Sequence, residues 1–204
     1  MGARDRSWGV RPVGEPERGA TPRTEPGIYW IWSALHFEDT CLHFYTLEDH
    51  EGRALEVHAA ELPAYGSAES VPAGPDPGTR PLNAKHSISW QQGTRWSAAA
   101  RLTLLGLDGV ERQLLLEPLA RFHMKGIGYQ HPQWGHGMWK GEQALGGEAW
   151  NVDELDPGAL ENLHVQQICR VRMGNRAGVG VLEQIVIGSH RPSGFKGFTE
   201  GAAG

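Results

Sequence analysis

The stretch HVQQICRVRM (164–173), the turn GNRAG (174–178) and VGVLEQIVIG (179–188) decide how this chain is read. Two runs rich in β-branched residues flank a Gly/Asn turn, which is the signature of a β-hairpin. Alternate residues of a strand share a face. Glu183 therefore groups with Val179, Val181, Ile185 and Ile187, and Gln167 with Val165, Cys169 and Val171. Pairing through the short turn is expected to set Gln167 near Glu183 across the ladder. If the Glu183 face points inward, the carboxylate is partly desolvated, its pKa rises and it becomes a usable proton donor. If the Leu182 and Val186 face is the inner one, Glu183 is solvated. Both faces carry apolar residues, so the alternation leaves the two readings open.

Working outward from this hairpin, the same pattern recurs. IYWIWSALH (28–36) and CLHFYTL (41–47) read as strands, and residues 53–60 return after the turn signal Asp49–Gly52. Residues 63–84 hold five prolines among Gly and Ser and read as a long surface loop. Residues 86–91, 95–107 and 112–122 are further strand candidates, with Asp108-Gly109 as a hairpin turn between the last two. Leu114, Leu116, Pro118, Ala120 and Phe122 share one face, and Pro118 marks a bulge or an edge. Residues 126–147 read as two short strands around a tight loop, and 152–162 as one helical turn. No helix-period stripe of convincing length is found. Short strands separated by turns predict an all-β fold, an antiparallel barrel or curved sheet. The expected organisation is a linker-like 1–27, a β domain over 28–198 and a flexible tail over 199–204.

Composition narrows the function classes. Lys and Arg total 19 against 24 Asp and Glu, for a net charge of −5, which argues against a nucleic-acid footprint. No apolar run is long enough to span a membrane, and no charged-then-apolar leader is read at the start. Cys41 and Cys169 match no metal spacing and read as reduced thiols of a cytoplasmic protein. No P-loop, dinucleotide fingerprint or GxSxG elbow is present, so no cofactor is expected. The 8 tryptophans, 10 histidines and 28 glycines suit a barrel with a wet aromatic pocket.

The densest polar-aromatic cluster is GYQHPQWGHGMWKGE (128–142). His131, Trp134, His136, Trp139 and Glu142 there could form a pocket rim, with histidine as a hydrogen-bonding or proton-transfer group. Two histidines and Glu142 lack the third ligand that catalytic zinc usually has, so no metal is assigned. Plain turn residues are the alternative. Asp5, between Arg4 and Arg6, is expected to stay ionised, as a base, as an anchor for Trp8 or as part of a surface ion-pair cluster. Trp30 adds aromatic surface, and His190 in SHRPSGF reads as structural.

Three stretches carry a family resemblance. GARDRSWGV (2–10), GIGYQHPQWGHGMWKGE (126–142) and HVQQICRVRMGNRAGVGVLEQIVIGSHRPSGF (164–195) resemble a bacterial subgroup of the hydroxyneurosporene synthase (acyclic carotenoid hydratase) superfamily. That resemblance implies two tandem lipocalin-like barrels with a ligand site at or between them, and hydration, cyclisation or carriage of greasy substrates. It places the Arg4-Asp5-x-Ser7-Trp8-Gly9 motif near the junction of the barrels. The chain then corresponds to the C-terminal part, with 1–27 as the remnant of a preceding barrel. The hydratases carry an Asp-His pair where this chain has Asp5-Arg6, so that histidine's role does not transfer; Asp5 and Trp8 match.

Three functions stay open: a binding module for an apolar isoprenoid, steroid or acyl molecule; a cofactor-independent hydratase, isomerase or cyclase; and an interaction domain without ligand. For the enzyme, Asp5, His136 and Glu183 are the candidate catalytic groups, and Trp8, Trp30, His131, Trp134, Trp139, Glu142 and Gln167 the ligand-binding ones. An incomplete double barrel would expose apolar surface, so a homodimer or a missing N-terminal barrel is the expected partner. The discriminator is the barrel interior: inward acids and histidines favour the enzyme, a purely apolar cavity the carrier.

Overall fold

A computed structural model describes residues 27–74, 76–125, 131, 133 and 140–202. Asp5, Trp8, Trp134, His136 and Trp139 lie outside them. Eight antiparallel strands, each paired with the next and the last with the first, close a barrel. They are β1 (Gly27–His36), β2 (Thr40–Glu48), β3 (Ala54–Pro63), β4 (Arg80–Trp90), β5 (Ser97–Gly106), β6 (Glu111–His123), β7 (Val165–Met173) and β8 (Arg176–Gly188). The all-β expectation holds, and period-two alternation explains it. On β2, Thr40, Leu42, Phe44 and Thr46 are buried while Cys41, His43 and Tyr45 are only half-buried. The inward residues of the eight strands, Ile31, Leu42, Phe44, Leu102, Leu116, Val171 and Leu182 among them, make one core. Closure is at the β1–β8 seam, from Gly27↔Gly188 to His36↔Val179. Glycine is required there: a Cβ on Gly178 would lie 2.4 Å from the His36 carbonyl oxygen, and one on Gly180 2.6 Å from that of Ala34.

The hairpin turn is tighter than the sequence reading allowed. Met173 pairs with Arg176, leaving Gly174-Asn175 as the turn, with Gly174 at φ 60°. An odd-numbered turn would put Gln167 and Glu183 on one side of the ladder; two residues put them on opposite sides. Gln167 faces inward opposite Leu182, and Glu183 faces outward opposite Gln166. The expected Gln167–Glu183 pairing is thereby corrected to Gln166–Glu183. On β6 the register shifts between Pro118 and Ala120. The bulge turns Ala120 and Phe122 outward, away from the side of Leu114 and Leu116 that they were expected to share.

Other boundaries also move. β4 begins inside the presumed 63–84 loop, and 152–162 forms two short 3-10 turns, Val152–Glu154 and Leu160–Asn162. The described part of 126–147 contains no strand. Residues 199–202, read as a flexible tail, are tied to the barrel end through Gly93 N–H to Ala202 O (2.9 Å) and Ala202 N–H to Thr94 O (2.8 Å).

Arg95 secures that end. It is fully buried. Its guanidinium donates to the carbonyls of Gly188 (2.6 Å), Gly197 (2.9 Å) and Glu200 (2.9 Å) and lies 4.4 Å over the Phe195 ring. The segment after β8 is thus folded back across one mouth of the barrel.

One seam is incomplete. β3 and β4 pair only at Ala59↔Leu82, Ala60↔Pro81 and Glu61↔Arg80. From Ala54 to His58, β3 is exposed and has no partner on that side among the described residues. The splayed strands open a lateral cleft of about 400 Å³ into the barrel.

Candidate functional site

The cleft is lined by apolar Phe44, Val57, Ala84 and Ile88 and by a polar group of Tyr29, Thr46, Glu48, His86, His190 and Ser193. β2 carries Glu48 on the inward side, two residues after Thr46. β4 carries His86 inward between Ala84 and Ile88. Tyr29 enters from β1, and the folded-back segment supplies His190 and Ser193.

These side chains form one chain of contacts. Tyr29 Oη is 2.9 Å from His86 Nε2. His86 Nδ1 is 3.4 Å from Glu48 Oε1, and Glu48 Oε2 is 3.2 Å from His190 Nε2. His190 Nδ1 is 2.8 Å from Ser193 Oγ, and its ring stacks on Tyr29 at 3.8 Å between centroids. Thr46 Oγ1 donates to Glu48 Oε1 at 3.4 Å. An ionised Glu48 satisfies the whole set: each histidine donates to it from one nitrogen and accepts a hydroxyl proton, from Tyr29 or Ser193, on the other.

The electrostatics favour neutral partners around that carboxylate. Burial lowers the His86 pKa, Glu48 opposes the shift and His190 adds to it. Burial, reinforced by Glu48, raises the Tyr29 phenol well above its ordinary value. His86 is therefore held toward its neutral form, and the tyrosine stays a hydrogen-bond donor.

Burial likewise lowers the pKa of His123 and His36. A depressed histidine stays neutral in the fold, whereas an unfolded one protonates near pH 6.5. Below that pH the unfolded chain binds more protons, so stability falls as the pH drops. The melting temperature is expected to decline below about pH 6.5. Neither His123 ring nitrogen has a hydrogen-bond partner among the described residues. His123→Phe should therefore weaken the acid-side decline in melts run from pH 8 to 5; an unchanged slope would remove His123 as a contributor.

Of the residues singled out from sequence, two come together outside the barrel. Glu183 accepts from His164 Nε2 (2.7 Å, Oε1) and Gln166 Nε2 (2.6 Å, Oε2), and His164 stands edge-on to Trp30 at 6.3 Å. The inward orientation considered for Glu183 is therefore corrected. Neither is it solvated: its side chain is 12% exposed, in a region where Leu160 and Leu163 pack over Ile185, Ile187 and Trp30. Gln167 is buried inside, donating to the Ser97 carbonyl at 3.1 Å, and serves packing between β5, β7 and β8. His131 is buried against Glu148 at 2.9 Å, and Glu142 is exposed. The cleft group was missed. The signal was present in the alternation of 40–48 and 80–90, where Glu48 and His86 share faces with Leu42, Phe44, Ala84 and Ile88.

Fold and cleft together define the class: a closed, eight-stranded, antiparallel barrel of lipocalin-like form with acid and imidazole groups facing a lateral opening. The chain belongs to the family described as Family of unknown function (DUF8625), which matches residues 1–196. No curated protein sequence matches it. Among solved structures, kievitone hydratase from Nectria haematococca is similar at 12% identity and a TM-score of 0.38, over 77% of this chain and 39% of that one. The chain thus spans well under half the length of that structure. No helix among the described residues is long and apolar enough to cross a membrane.

Proposed function

We propose that this barrel binds an apolar small molecule in the β3–β4 cleft and moves a proton on it, as a cofactor-independent hydratase, isomerase or cyclase does. One observation carries the reading: Glu48 lies between two histidines, 3.4 and 3.2 Å away, in a cleft that also presents Phe44, Val57, Ala84 and Ile88. An inward acid with inward histidines is the arrangement expected of an enzyme rather than of a plain carrier. The opening of about 400 Å³ falls in the ordinary range of small-molecule sites. The motif resemblance to hydroxyneurosporene synthase-like proteins supports the same reaction class. Phe44, Val57 and Ile88 would hold the apolar body. Glu48 and His86 would exchange the proton, with Tyr29 holding the oxygen that gains or loses it.

A second reading rests on Glu183. A carboxylate this covered, gripped by His164 and Gln166 beside Trp30, would suit an acid–base pair on the outer wall. The two readings separate in one experiment. The purified chain is incubated with a lipid-soluble cell extract, and captured compounds are identified by native mass spectrometry. Ala84→Trp, which fills the cleft, is expected to abolish capture, and Glu183→Gln to leave it intact. Capture that survives Ala84→Trp and is lost in Glu183→Gln would move the site to the outer wall.

A further inference from the structure

On the outer wall, away from the cleft, β2 and β3 bring His43 and His58 together diagonally across the ladder. Their Nδ1 atoms are 3.1 Å apart, and the pair is open to solvent. Two Nδ1 lone pairs at this distance repel unless something positive lies between them. A proton held by one ring satisfies the pair; so does a metal ion. Two imidazole nitrogens each about 2.0–2.1 Å from one ion lie about 2.9–3.4 Å apart for angles between octahedral and tetrahedral. The observed separation falls inside that window.

We infer that His43 and His58 form a two-imidazole site for a divalent transition metal of the copper, nickel or zinc class. Imidazole is a ligand of choice for these ions, and copper should bind tightest. Among the described residues no group of three or more His, Cys, Asp or Glu converges on one point. The pair supplies two ligands, fewer than the four of a structural zinc site, so the ion it holds is exchangeable. Both imidazoles must be deprotonated to bind, so acid releases the ion.

Trp32 provides a reporter, because its ring meets the His43 ring edge-on at 5.7 Å. Nickel or copper on this pair should quench it. The full chain is titrated with NiCl2 and CuCl2 at pH 7.5, following tryptophan emission, with bound metal measured by equilibrium dialysis. The expected result is saturable quenching that is reversed by a chelator and at pH 5. His58→Ala should remove one equivalent of bound metal together with the quenching. Since His58 is exposed, that variant should melt like the parent. Trp32→Phe should lose the optical signal but keep the metal. Equal metal uptake by parent and His58→Ala would overturn the assignment, as would parent protein that takes up none, leaving a shared proton as the sole occupant. A site that disappears in Cys41→Ser rather than His58→Ala would place the ion at the neighbouring His36–Cys41 pair, 3.2 Å apart, and would equally overturn it.

Discussion

Replacing Arg95 by leucine is expected to destabilise the protein by about 3–5 kcal/mol, because several backbone carbonyls lose one shared, charged donor. That is a large part of the 5–15 kcal/mol or so that holds a typical domain together. Leucine fills part of the volume but donates nothing. The carbonyls of Gly188, Gly197 and Glu200 then lose their donor, and each buried acceptor left unsatisfied costs about 1–3 kcal/mol. Burial pulls the Arg95 pKa down to about 10, so the guanidinium remains charged at neutral pH and its hydrogen bonds stay charge-assisted. Arg95→Lys should recover only part of the loss, because an ammonium is a point donor and cannot fork to carbonyls from separate parts of the chain. Urea unfolding followed by far-UV circular dichroism measures this, read as a fall in midpoint with an unchanged slope. A loss below about 1 kcal/mol would mean that the folded-back segment holds without the arginine. The effect also reaches the cleft, because that segment carries His190 and Ser193.

Glu48→Gln is expected to lower turnover of the captured ligand by about 10²–10⁴-fold, the usual share of a positioned general acid or base. Glutamine keeps the shape and accepts from one histidine through its oxygen. Its amide nitrogen, however, confronts the other imidazole as a second donor, so that ring must present its opposite tautomer and donate to its hydroxyl instead of accepting from it. Proton traffic between Tyr29, His86 and His190 is interrupted while the cleft walls stay in place. The assay is deuterium uptake from heavy water into the bound compound, by mass spectrometry, with binding measured on the same sample. Retained binding with lost exchange is the expected pattern. Exchange that continues within about threefold of the parent rate would remove Glu48 from the chemistry.

Much of the architecture was legible in the alternation of single strands. All eight can be read directly from runs such as 28–36, 41–47 and 164–173, because a half-buried pleated surface imposes period two wherever it occurs. Details that depend on turn length were not. A five-residue turn and a two-residue turn look alike in GNRAG, yet they send Glu183 to opposite sides of the wall. The bulge at Pro118 was anticipated, but the side to which it would turn Phe122 was not. The start of β4 was obscured by the prolines at 72–81, so the alternation that sets His86 on one face with Ala84 was cut off at residue 86. His190 was readable only as a turn residue. Its place beside Glu48 depends on Arg95 drawing a distant segment back over the barrel, a long-range packing event that no local pattern announces.

A closed barrel ordinarily abolishes sheet edges, and this one keeps a short pair of them where β3 parts from β4. Unpaired main chain of that kind invites extended segments from other molecules to add on. Glu56, His58 and Lys85 place polar and ionisable side chains along the gap, and the register shift at Leu47/Glu48 bends the neighbouring ladder just before it. On the proposed function, the same few residues set both the entry of a small molecule and the exposure of the unpaired main chain. A seam paired along its whole length would close the two together.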